Sequence, residues 1–164
     1  MTARPVLLLA AAALALAPLA HAASMFNEKV GAWSVYSLGR WCNLVDRDLE
    51  AFNFAPYNAL GFSRVVGTQE TVARLYVWPG AFAPETDVTL SFTPSTGKPI
   101  FVPGRTIDTY AVESDTAIAP PDLERIASTG LLIVRVSDLK HDLAFRTEGL
   151  KEALESLARC ASAT

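Results

Sequence analysis

The chain has 164 residues, of which 51% are hydrophobic and 19% are charged, with 14 Lys and Arg against 17 Asp and Glu. The length suits one folded domain with a single core and is too short for two ordinary ones. The basic residues are scattered singly along a mildly acidic chain, which excludes nucleic-acid binding as a main function.

The first 22 residues are predicted to be a cleaved secretory signal peptide. Arg4 supplies a positive charge, residues 6–20 are apolar, and Ala20-His21-Ala22 has the small-x-small form that precedes cleavage. The apolar run is shorter than the ~20 residues that span a bilayer, and a retained N-terminal anchor is the alternative. We expect residues 23–164 to form a single domain that does not span a membrane and is periplasmic or secreted.

The only two cysteines, Cys42 and Cys160, both lie in the predicted mature domain. An exported chain with an even number of cysteines usually pairs them, so we predict one disulfide bond. It would close almost the whole domain and contribute about 4–5 kcal/mol in the chain-entropy model. Two free thiols, or a redox-active pair, are the alternatives.

Short β-type segments occupy the first two thirds of the predicted domain. Residues 32–38 alternate apolar and polar side chains and predict a first strand. Further on, Gly and Pro separate short apolar runs, a pattern typical of a meander or a sandwich. These runs are residues 64–66, 72–78, 87–92, 99–102 and 106–112, and Pro103-Gly104 is predicted to be a turn between the last two.

An aromatic stretch at residues 51–62 has neither a helical nor a strand period. Its aromatic side chains are interpreted as packing on the core or as lining an exposed binding surface. The binding alternative includes the neighbouring loop at residues 78–82, since loops on a rigid scaffold commonly carry function. The candidate binding surface is Phe52, Phe54, Tyr57, Trp78 and Phe82.

The C-terminal unit, residues 120–160, has the clearest local pattern. A short helix is predicted from Asp122 to Ser128 and is closed by Gly130. It is followed by the apolar strand Leu131–Val136, which we predict to be central, and by a partner strand at Leu143–Arg146. Leucines and alanines from Leu150 onward recur on one helical face, and Cys160 extends that face. A C-terminal amphipathic helix fastened by Cys160 is therefore predicted.

No catalytic, cofactor-binding or metal-ligating site is predicted. Ser95-Thr96-Gly97-Lys98 lacks the leading glycine and the hydroxyl residue of a phosphate-binding loop and is interpreted as a hairpin turn. His141, the only histidine after the signal peptide, falls in a predicted turn, which favours a solvated side chain over a general base.

Two sets of carboxylates keep an enzymatic alternative open. They could bind calcium or act as acid and base, although neither set has the spacing of an EF-hand loop. The two sets are Asp46, Asp48 and Glu50, and Glu113 with Asp115.

The C-terminal unit resembles the invasion-associated locus B family of exported bacterial proteins. The similarity lies in the short helix, Gly130, the strand ending Val136-Ser137-Asp138, and the closing helix with Gly149-Leu150, Ala153-Leu154 and Leu157. An early Trp33-x-Val35 followed by a cysteine is also similar. The resemblance implies a β-sandwich-like periplasmic or secreted protein without known catalysis, linked in some members to contact with host cells.

These observations predict a mainly β domain with α, a β-sandwich-like antiparallel domain with a short helix and a C-terminal amphipathic helix. The predicted function is that of an exported, non-enzymatic binding or interaction module of the bacterial envelope, without a cofactor and with a protein or envelope component as partner. The alternatives are a carboxylate-dependent hydrolase and an inhibitor of a hydrolase.

Overall fold

The computed structural model describes residues 25–46 and 58–162. The predicted signal peptide and its cleavage position lie outside these ranges. So do three residues of the candidate binding surface, Phe52, Phe54 and Tyr57, and two of the candidate carboxylates, Asp48 and Glu50.

The described ranges contain ten antiparallel strands and two helices, which confirms the prediction of a mainly β domain with α. The strands form one sheet in the order β1-β2-β3-β4-β5-β8-β7-β6-β9-β10. The strands are β1 Asn27–Val30, β2 Trp33–Leu38, β3 Trp41–Val45, β4 Ala59–Val65, β5 Thr71–Tyr76, β6 Asp87–Pro94, β7 Ile100–Asp108, β8 Ala111–Ser114, β9 Leu131–Val136 and β10 Leu143–Arg146; the helices are α1 Pro120–Ala127 and α2 Leu150–Ser162.

The predicted turn at Pro103-Gly104 is wrong, because β7 runs through both residues. Pro103 pairs with Thr89 of β6, and its carbonyl accepts a hydrogen bond from the N–H of Asp115. Gly104 is needed there, since a Cβ at this position would lie 2.7 Å from the carbonyl oxygen of Glu113. The glycine thus permits a close approach between neighbouring strands instead of a reversal.

Strands β1 and β3 are additions to the predicted set, and β4 begins at Ala59, before the predicted run 64–66. The predicted run 106–112 is wrong, because a turn at residues 109–110 divides it between β7 and β8.

The position of β9 is a further correction. β9 was predicted to be central, but it lies between β6 and the last strand, β10. It is nevertheless part of the core, because Leu132, Val134 and Val136 are all buried. The hairpin of β9 and β10 has the predicted pairing, with Leu143 opposite Val134.

The inward-facing side chains of the sheet and the apolar faces of both helices share one hydrophobic core, which includes Trp33, Phe62, Phe92, Leu132 and Leu157. The sheet curls enough to bring its two ends together. The indole N–H of Trp33 in β2 donates a 2.9 Å hydrogen bond to the carbonyl oxygen of Glu148, which follows β10. The second strand is therefore fastened at this corner to the segment that follows the last strand.

Helix α2 packs against the first four strands, and a disulfide bond fixes its end there. Cys42 of β3 is bonded to Cys160 of α2, as predicted, with a Cα–Cα distance of 5.9 Å. Both cysteines are buried, together with Leu150, Ala153 and Leu157 on the same face of the helix. Neither helix in the described ranges is long and apolar enough to cross a membrane.

A polar contact also holds α2 to the first strand. The carboxylate of Glu28 in β1 accepts hydrogen bonds from the hydroxyl of Ser156 at 2.6 Å and from the guanidinium of Arg159 at 3.0 Å. The hydrogen bond from Ser156, followed by the contacts with Arg159, lowers the pKa of Glu28 below its usual value. The edge strand is thus bound to the helix in a charge-dependent way.

Removal of the disulfide bond, in a Cys42→Ala/Cys160→Ala protein, should lower the free energy of unfolding. The closed loop spans 118 residues, for which the chain-entropy model gives about 4–5 kcal/mol. Chemical denaturation of the oxidised protein and the double variant measures the difference. Equal stability of the two proteins would contradict the assigned role of the bond.

Acid should weaken the contact between β1 and α2. Because the folded-state pKa of Glu28 is lowered, its contribution to stability is present above the ordinary glutamate pKa, about 4.3, and is lost as the pH falls through the folded value. Glu28→Gln should therefore melt at a lower temperature than the unmodified protein at neutral pH, with a smaller difference in acid. Thermal unfolding from neutral to acid pH measures this.

Asp87→Asn is the matched control for this measurement. Asp87 is also paired with an arginine, Arg105, but its side chain is 81% exposed, and water screens such pairs strongly. A pH profile that changes equally in both variants would contradict the role of Glu28.

Candidate functional site

Exposed aromatic residues lie where β5 meets the turn between β7 and β8. The backbone N–H of Val77 donates to the carbonyl oxygen of Tyr110, which brings the residues after β5 next to this turn. Trp78 is 40% exposed and Tyr110 is 41% exposed. We refer to Trp78 and Tyr110 as the loop-end patch.

The end of β3 and the start of β4 lie at the same end of the sheet. Ala59, at the start of β4, pairs with Tyr76, which in turn pairs with Ala111 of β8. The connection between β3 and β4 thus leaves and re-enters the sheet beside the loop-end patch. Phe52, Phe54 and Tyr57 belong to this connection, whose residues 47–57 lie outside the described ranges.

Phe82 differs from the other described member of the candidate surface. Its side chain is only 6% exposed and belongs to the hydrophobic core. The N–H of Phe82 donates to the carbonyl oxygen of Thr109, which holds the loop after β5 against the β7–β8 turn. Phe82 therefore supports the loop that presents Trp78 and is left out of the surface proposed below.

The described candidate carboxylates do not form an acid–base pair across the sheet. Val45, which precedes Asp46, pairs with Gly61 of β4. Gly61 pairs with Arg74 of β5, and Arg74 pairs with Glu113 of β8. Three strand spacings of about 4.8 Å separate these positions, or roughly 14 Å, which exceeds the separation that glycoside hydrolysis uses. Asp115 is exposed after β8, and His141 is exposed in the loop between β9 and β10.

A second cluster of functional side chains lies on the outward face of β2 to β5 and β8. At its centre the guanidinium of Arg74 donates from Nε to the carboxylate of Glu113 and from Nη1 to the side-chain oxygen of Asn43, at 3.3 Å. The guanidinium carbon also lies 5.2 Å from the ring centroid of Trp41, within the range of a cation–π interaction. We call this group, with Tyr36 and Tyr76, the arginine cluster.

Strand alternation explains why these residues share one face. Tyr36 is opposite Asn43, Asn43 is opposite Ser63, and Arg74 is opposite Glu113; residues that are paired across antiparallel strands point to the same side of a sheet. The Ser63 hydroxyl donates to the Asn43 side-chain oxygen at 2.8 Å. Asn43 is thus fixed by two neighbours beneath the guanidinium.

Gly61 permits a close approach of β3 to β4 beside the cluster. A Cβ at this position would lie 2.9 Å from the carbonyl oxygen of Leu44, which is too close, and 3.6 Å from Cε2 of Tyr76, which is an ordinary contact distance. The glycine is therefore required by the backbone of β3, and the Tyr76 ring lies against β4.

Burial and charge set the protonation of the cluster. Burial raises the pKa of Tyr36 and of Tyr76 above the usual tyrosine value. Burial by itself would lower the pKa of Arg74, but the hydrogen bond and charge of Glu113, with a smaller contribution from Tyr76, outweigh it and raise the pKa. At neutral pH the cluster therefore holds two uncharged tyrosine hydroxyls and a charged Arg74 whose charge is balanced by Glu113.

Sequence reasoning identified Glu113 but none of its partners. The local patterns contained a usable signal, because Arg74 and Tyr76 occupy the polar positions of an alternating strand. What local patterns do not contain is the strand register that brings β2, β3, β5 and β8 together. Within the described ranges no group of three or more His, Cys, Asp or Glu side chains could hold a metal ion.

Comparison with protein-family models, with curated proteins and with solved structures finds no match. The resemblance to the invasion-associated locus B family therefore stays a prediction.

Tyr36 and Tyr76 should titrate in alkali above the ordinary tyrosine pKa of about 10. Their raised pKa values mean that their neutral forms stabilise the fold, and that this stability is lost as the pH rises from 10 through the folded-state values. Ultraviolet absorbance of tyrosinate measures the titration. Tyr36→Phe and Tyr76→Phe should each remove one late-titrating group, and a late phase unchanged in both variants would contradict the assignment.

Proposed function

We propose that this protein is an exported, non-enzymatic binding module of the bacterial envelope. In this proposal the loop-end patch contacts a protein or envelope partner. The predicted signal peptide supports export, and so does the buried disulfide bond, because such bonds persist in oxidising compartments. The resemblance to exported proteins that act in host contact is consistent with this function.

The observation that carries the proposal is the exposure of Trp78 and Tyr110 on loops fastened to a rigid sheet. Trp and Tyr are the residue types that most often dominate binding energy at protein interfaces. Exposed aromatic side chains that lie together on a surface can mark a site of contact with a partner.

A photo-crosslinking amino acid placed at position 78 or 110 should capture the partner in the cells that export the protein. Position 101 is the matched control. Phe101 is 68% exposed on β7, but it is six positions before Ile107, near the loop end, or about 20 Å away along a strand. Adducts are expected at 78 and 110 and not at 101.

The double variant Trp78→Ser/Tyr110→Ser tests the same surface by loss of function. It should abolish the adduct formed from a crosslinker at the nearby position 81, while Phe101→Ser leaves that adduct intact. Equal crosslinking at positions 78, 110 and 101, or no adducts at 78 and 110, would contradict the proposal.

A further inference from the structure

We propose that the arginine cluster is a binding site for a neutral carbohydrate. The juxtaposition of Arg74, Glu113 and Asn43 with the rings of Tyr36, Trp41 and Tyr76 supports this assignment. The site lies on the sheet face next to the loop-end patch and consists of other residues, so the inference goes beyond the proposed partner surface and does not depend on it.

Charge balance selects a neutral ligand. Arg74 and Glu113 form an ion pair within the cluster, so neither a phosphate nor an ammonium group would find an uncompensated opposite charge there. An anion would have to displace Glu113, and a cation would have to displace Arg74. Both exchanges break a charge-assisted hydrogen bond in a half-buried setting, where the side chains are 21% and 26% exposed.

The hydrogen-bonding groups suit a ligand that donates and accepts at once. Glu113 presents acceptor oxygens, whereas Arg74 presents N–H donors and the uncharged hydroxyl of Tyr36 can do either. Asn43 is only 7% exposed and serves to hold Arg74 in place. Each hydroxyl of a sugar can donate and accept, so adjacent hydroxyls match this mixture. A proline-rich peptide fits less well, because proline has no N–H to offer the acceptors.

The aromatic rings complete the match. The cluster combines flat apolar surfaces with a few convergent polar groups, as small-molecule sites usually do. A pyranose ring has an apolar face of C–H groups that can lie on Trp41 or Tyr76, while its hydroxyls reach the polar groups around them. Because Arg74 is already held by Glu113, Asn43 and Trp41, little side-chain ordering remains to be done on binding.

Isothermal titration of the oxidised protein tests the inference with defined probes. The neutral probes are the tetrasaccharides of glucose, in α- and β-linked form, and of N-acetylglucosamine. The competing probes are an acidic uronate tetrasaccharide, inorganic phosphate and a proline-rich decapeptide. We expect at least one neutral tetrasaccharide to bind with a Kd of about 1 mM or below and the competing probes to bind more weakly.

Variants locate the binding site. Trp41→Ala should weaken binding about tenfold. Tyr76→Phe keeps the ring and removes one hydroxyl, so it should weaken binding by a smaller factor in a folded protein. Arg135→Gln is the matched control, because Arg135 also forms an ion pair on the outward face, with Asp142, and its loss should leave carbohydrate binding unchanged.

The inference is overturned if no neutral tetrasaccharide binds at millimolar concentration, or if a competing probe binds more tightly. It is also overturned if binding survives unchanged in Trp41→Ala and Tyr76→Phe, or is lost in Arg135→Gln. If Trp41→Ala does not fold, the outcome for Tyr76→Phe decides. Crosslinking at positions 78 and 110 is measured separately. Failure of the carbohydrate proposal therefore does not affect the test of the partner surface, and the reverse is also true.

Discussion

The bond between Cys42 and Cys160 is the constraint on which the two faces of the sheet depend. It lies on the inward side of β3 and holds α2 against the core. The neighbours of Cys42 in β3, Trp41 and Asn43, point outward and position the guanidinium of Arg74. Since alternate residues of one strand serve opposite faces, the bond that closes the core also steadies the strand that builds the arginine cluster.

Closure of the sheet depends on contacts between residues far apart in sequence. Trp33 reaches the backbone after β10, and Glu28 binds side chains of α2 near the end of the chain. Both contacts join the first two strands to the last elements, which turns an open sheet into a curled one around a single core. The sheet surface is therefore a rigid base for the loops at its end, as binding loops require.

Local pattern predicted the C-terminal unit best, because the apolar face of α2 and the alternation of β9 are regular and are bounded by Gly130 and Gly149. The same reasoning failed at Pro103-Gly104, where the glycine serves a close strand approach that only tertiary structure reveals. It also did not assemble the arginine cluster, whose members come from strands β2, β3, β5 and β8. Strand order and register decide that assembly, and neither is encoded in a short window of sequence.

Stability alone gives a poor account of the arginine cluster. Replacing a partly buried ion pair by apolar residues is often neutral or stabilising, so the pair of Arg74 and Glu113 is weak evidence for a stabilising role. On an outward face, however, an all-apolar replacement would create a patch prone to aggregation. The observed mixture keeps the face hydrated while it leaves the rings of Trp41 and Tyr76 partly accessible. Hydration of this face thus requires polar groups whose charges balance. A site for a neutral, hydroxyl-rich ligand has the same requirement.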